Sequence, residues 1–145
     1  MNDAMDRDVA TMASSIELSV KDYISTLTGI LNLLEVLLGL LLLLVVHYTR
    51  RELTTRVRVL FTINYAYTFN GLHFIIAGCL SLESFSHLQE LFYYVLFLTC
   101  AGMAYTIGSV CVIKESKSTP VFAILSVTIG GIYYIHAVYA VIRLL

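Results

Sequence analysis

Tryptophan is absent from this chain, proline occurs once, and Asp, Glu, Lys and Arg make up only 13% of it. So few charges exclude a soluble helix bundle, which needs polar outer faces and carries roughly 25% charged residues. Without Trp, the ten tyrosines must supply any aromatic anchors at a membrane–water boundary. A single proline leaves long helices uninterrupted. A net charge of −1 gives no footprint for nucleic acid. There is no Cys-x-x-Cys, no His-Glu-x-x-His, no Gly-rich phosphate loop and no Asn-x-Ser/Thr sequon. No nucleophile stands at a fixed spacing from a base, so neither an enzyme nor a cofactor is expected. The three cysteines, Cys79, Cys100 and Cys111, are an odd number and read as small apolar packing residues. A palmitoyl chain on Cys79 or Cys111 would need a position near the cytosolic face.

What is present is hydrophobic: 59% of the residues. Apolar stretches run over Ile24–Val46, Val59–Leu82, Leu91–Ile113 and Val121–Ile142. A helix needs about 20 residues to cross a bilayer, and each stretch has them. The run Leu40 to Val46 has no polar face at all. Unbroken runs also exclude alternating barrel strands, and irregular chain cannot cross lipid with unpaired backbone groups. The expected fold is all-α: a four-helix transmembrane bundle, up-down-up-down, over residues 24–145, with short loops and a polar segment at 1–23.

The loops refine this. Acidic Met1–Ala13 reads as disordered, with no cleavable signal peptide ahead of the first span. Ser14-Ser15-Ile16-Glu17 reads as a capping box from which one helix runs through the first span. Its opening turns would put Ile16, Val20, Tyr23 and Ile24 toward lipid and Lys21 and Asp22 toward water. His47–Arg58 reads as a tight basic hairpin carrying Arg50, Arg51, Arg56 and Arg58. Ser81–Glu90 reads as a loop ending in a second capping box at Ser86–Gln89. Lys114–Thr119 reads as a turn, with Pro120 in the first turn of the last helix. The charge bias places the loops after spans one and three in the cytosol and both termini outside.

Polar residues inside the spans stand out because lipid does not solvate them. Thr28, Asn32, Glu35 and Gly39 share one helix face, as do Ala66, Asn70, His73 and Ala77. His136 stands just past the middle of the last span. Glu35, Asn32, Asn70, His73 and His136 are therefore expected to meet as an intramembrane polar cluster, with Glu35 protonated or hydrogen-bonded. The cluster reads first as a lock that fixes helix register, next as a proton or ion relay, and last as bis-histidine haem ligation by His73 and His136. Nothing in the sequence argues for the wide pocket that haem needs. Small residues (Gly39, the pair Ala104 and Gly108, the pair Ser126 and Gly130) are expected to let helices approach closely.

Two spans carry a resemblance. Gly29-Ile30-Leu31-Asn32-Leu33-Leu34-Glu35-Val36-Leu37-Leu38-Gly39 resembles the first span of MARVEL-domain proteins, especially the chemokine-like-factor branch. Pro120 to Leu125, continuing to Tyr133-Tyr134-Ile135-His136-Ala137, resembles that family's last span, where an acidic residue is common in place of His136. The resemblance implies an M-shaped multi-pass protein of sterol-rich or apposed membranes, acting in vesicle trafficking, membrane apposition or cell junctions. It implies a plasma-membrane or vesicle location, with another membrane protein or a second copy as partner. It also implies cytosolic termini, opposite to the charge bias. The alternative is a small channel or transporter subunit with Glu35, His73 and His136 on a proton route.

Overall fold

The structure, a computed structural model, describes residues 20–48, 54–89, 92–115 and 120–145. Helices α1 (Leu27–Tyr48), α2 (Thr55–Leu80), α3 (Leu82–Gln89), α4 (Phe92–Glu115) and α5 (Pro120–Leu144) follow a helical turn at 20–25. The described residues hold no strand. Three helices, α1, α4 and α5, are both long and apolar enough to cross a membrane. Helix α2 has the length, 26 residues, but Asn64, Asn70 and His73 interrupt its apolar run. Four crossings were expected; three meet both criteria.

The four long helices pack in a ring. Helix α1 lies between α2 and α5, and α4 closes the ring on its far side. Contacts run in opposite directions along each sequential pair. Gly39 of α1 meets Thr68 of α2, while Val36, one turn earlier, meets Gly71. Ser126 of α5 bonds to Tyr105 of α4, and His136 meets Tyr94. Short connections between antiparallel neighbours produce this arrangement. Most of the described side chains on the outside are large and apolar, such as Leu37, Leu44, Ile107, Ile124 and Ile135. Soluble monomers rarely expose apolar patches beyond a few hundred Å². The molecule is thus a multi-pass membrane protein, with lipid as the solvent for that surface.

The connections differ from expectation. The described helix does not run unbroken into the first span but bends at Thr26. The Thr26 hydroxyl donates to the Tyr23 carbonyl at 2.7 Å and accepts from Gly29 N–H at 3.0 Å, which makes Thr26 the N-cap of α1. A β-carbon at Gly29 would collide with the Tyr23 carbonyl. The bend turns Tyr23 into the bundle rather than toward lipid, while Lys21 and Asp22 stay exposed. Ser14–Glu17 and Met1–Ala13 lie outside the described residues, as do Arg50, Arg51 and residues 116–119.

Arg56 and Arg58 belong to α2 rather than to a loop, because Thr54 caps that helix and accepts weakly from Val57 N–H at 3.5 Å. Arg56 donates to the Cys111 carbonyl on α4 at 3.2 Å. The expected loop at 81–90 is mostly helix α3. Phe85 anchors it, buried edge-on against Tyr23 with ring centres 5.2 Å apart. Ser86 therefore sits inside α3 instead of capping the next span. Helix α5 does begin at Pro120.

Candidate functional site

The inward stripe of α1 is the expected one: Thr28, Asn32, Glu35 and Gly39 are all buried. Glu35 reaches α5, where its carboxyl lies 2.7 Å from His136 Nδ1, both side chains sealed from solvent. The other ring nitrogen, Nε2, lies 3.2 Å from the Tyr94 hydroxyl on α4. Asn32 donates to Tyr94 at 3.3 Å and to the Tyr23 hydroxyl at 2.9 Å. Burial pushes the Tyr23 hydroxyl up to about 12 against the opposing Asn32 bond, so it stays a neutral phenol. One line of hydrogen bonds thus joins α1, α4, α5 and the turn before α1.

This line has two self-consistent proton arrangements. With Glu35 ionised and His136 neutral, Nδ1–H donates to the carboxylate and Tyr94 donates to Nε2. With one more proton on the pair, Nε2–H donates to the Tyr94 oxygen. The Tyr94 hydroxyl then turns to Asn32 Oδ1, 3.4 Å away. Proton uptake thus moves the Tyr94 hydroxyl from Nε2 to Asn32 Oδ1, an acceptor with no other donor among the described residues.

A second knot lies deeper along the bundle. Asn64 of α2 donates to the Gly39 carbonyl at 2.9 Å and accepts from Tyr105 of α4 at 2.7 Å. Thr68 adds a long bond to Asn64, and Ser126 of α5 donates to the Tyr105 carbonyl at 3.0 Å. Between them the two knots tie all four long helices.

Asn70 and His73 do not join either knot. Both are on the outside of α2, where Asn70 donates to Ala66 O at 2.8 Å and His73 Nδ1–H donates to Phe69 O at 2.8 Å. Their outward stripe and the inward one, Asn64, Thr68, Gly71 and Gly78, are equally polar. The cue that separates them is glycine, because small residues in lipid mark helix contacts. With His73 outside and His136 sealed in the core, the two imidazoles cannot ligate one haem. Among the described residues no His, Cys, Asp and Glu side chains group as metal ligands.

The small residues work within the bundle. Gly39 packs on Thr68, Gly108 faces Leu60, and Gly130 lies against the Gly102 carbonyl and Thr106. Ala104, expected to pair with Gly108, is half-buried. Gly78 gives the Tyr23 ring its seat.

Toward the end of the bundle that holds α3, the cluster meets a cavity of about 50 Å³ whose lining includes Tyr94, Thr28, Ser86, Gln89 and Arg143. Arg143 is held there by Gln89 at 2.9 Å. Toward the opposite end the core is apolar, with Leu42, Val46, Leu60 and Val112 buried. Replacing Tyr94 with Phe removes the link between Asn32 and His136. It is expected to cost about 1–3 kcal/mol, read as a lower unfolding midpoint in detergent; an unchanged midpoint would show that the link carries no stability.

In comparisons with known proteins, no family model, no curated protein and no solved structure matches this chain.

Proposed function

We propose that the protein is a four-span, non-enzymatic membrane organiser of MARVEL type, acting in trafficking, membrane apposition or stabilisation of another membrane protein. The observation that carries this reading is where the polar groups go. The buried carboxyl of α1, the imidazole of α5 and the amides of α1 and α2 are spent on partners inside the bundle, and the described outer surface is left mainly apolar. Such a molecule acts through its lipid-facing sides. The placement of α2 supports its being the fourth span: it packs beside α1 and α4 from Val57 to Gly78 and so shares their depth. The stripe Asn32, Glu35 and Gly39 supports the family assignment. A tag at each terminus, probed in intact and permeabilised cells, tests it; both termini inaccessible from outside is the expected result, and both exposed would overturn the family topology.

The hydrogen-bonded line from the cavity to Glu35 favours one second reading, a proton path. The apolar core beyond the second knot, with Leu42, Val46, Leu60 and Val112 buried, argues for a dead end. Purified protein in liposomes under a pH gradient is expected to pass no protons above empty liposomes. A flux that Glu35→Gln abolishes would replace the organiser with a transporter.

A further inference from the structure

The outer face of α2 carries an exposed amide and an exposed imidazole, where the described outer faces of α1, α4 and α5 carry mainly large apolar side chains. Asn70 and His73 stand exposed one turn apart, flanked by exposed Ala66 and Ala77 on the same stripe. Phe69 stacks on Tyr65 and meets the His73 ring edge-on, with centroids 4.6 Å apart, which holds the imidazole outward. Each polar side chain bonds once to its own helix and has capacity left. With Nδ1–H donating to Phe69, the neutral His73 ring offers Nε2 as an acceptor. Asn70 keeps one N–H and its carbonyl oxygen, unbonded among the described residues. In lipid such groups draw a partner that can complete them.

We infer that the Ala66–Asn70–His73–Ala77 face of α2 is the contact between two copies of this chain. The inference rests on the reading that α2 spans the bilayer. Copies inserted the same way share one orientation, so two α2 helices meet in parallel about a two-fold axis along the membrane normal. At such an axis each residue faces its own equivalent or that residue's near neighbours. Charged side chains would repel there. An amide is both donor and acceptor, so Asn70 can pair with Asn70 of the second copy. Alternatively, its one spare N–H suits the open Nε2 of His73 across the axis, and the reverse bond forms by symmetry. The two alanines, one turn beyond each polar residue, let the backbones close to that distance.

Cross-linking in membranes tests this. The full chain, with Cys79, Cys100 and Cys111 changed to Ala, receives one cysteine by Ala66→Cys, Ala77→Cys or Ile135→Cys and is reconstituted in phosphatidylcholine vesicles. Mild oxidation is expected to link Ala66→Cys and Ala77→Cys into dimers and leave Ile135→Cys monomeric. Adding Asn70→Leu and His73→Leu to Ala66→Cys is expected to lower linkage about tenfold. The unfolding midpoint should hold, because both changes face outward. No more linkage from Ala66→Cys than from Ile135→Cys, or full linkage in the leucine variant, would overturn the dimer. Labelling of Ala66→Cys by a membrane-impermeant maleimide would instead show that α2 is outside the bilayer, and the span reading would fall with it. Protection from the maleimide without linkage would remove the dimer alone.

Discussion

Glu35→Ala or His136→Ala is expected to remove about 3–5 kcal/mol of stability, because each leaves its partner buried and uncompensated. The two groups lie 2.7 Å apart in a fully closed site, so water cannot replace the missing member. A domain stable by about 5–15 kcal/mol would lose a large share of its margin, and less folded protein should reach the membrane. The double variant Glu35→Met with His136→Leu should recover most of the loss, since apolar groups of similar volume need no partner. Reversible unfolding of purified protein in detergent measures all of them. Single variants within about 1 kcal/mol of the parent, or a double variant as poor as the worse single, would refute the lock.

The second large effect belongs to Gly39. A β-carbon there lands on the Thr68 side chain, and the Gly39 carbonyl is the acceptor that holds Asn64. Gly39→Ala would add about 1 kcal/mol in an isolated helix through propensity alone. The expected result here has the opposite sign, a net loss of about 1–3 kcal/mol, because α1 and α2 must separate to admit the methyl. Thr68→Ala removes the hydroxyl from the crowded spot, so the pair Gly39→Ala with Thr68→Ala should lose less than the sum of the singles. A double-mutant cycle in detergent reads this coupling, and strict additivity would show that the contact is not the cause.

How much of this was legible in the sequence depended on contrast. Glu35 and Asn32 stand on a leucine-rich helix, so their stripe identified itself and led to a buried face. Helix α2 offers two polar stripes, and polarity alone selected Asn70 and His73 on the outer one. Gly71 and Gly78 marked the inner stripe, and Asn64 with it. The tyrosines misled for a different reason. With Trp missing they read as boundary anchors, yet Tyr23, Tyr94, Tyr105 and Tyr133 are among the largest fully buried side chains. A phenol does both jobs, and only its neighbours decide which: Asn32, His136 and Asn64 give Tyr23, Tyr94 and Tyr105 polar partners inside the core. Helix α3 was illegible because its anchor, Phe85, packs on Tyr23 from before α1, and a contact so far apart in sequence leaves no local pattern.

The Glu35–His136 contact joins residues 101 positions apart. At a synthesis rate of roughly 5–20 residues per second, Glu35 waits some 5–20 s for its imidazole. During that interval the first helix holds a carboxyl that no part of the nascent chain yet answers, so it must stay protonated or beside the insertion machinery. A ribosome that stalls before α5 therefore releases a product with an unanswered acid in its first span.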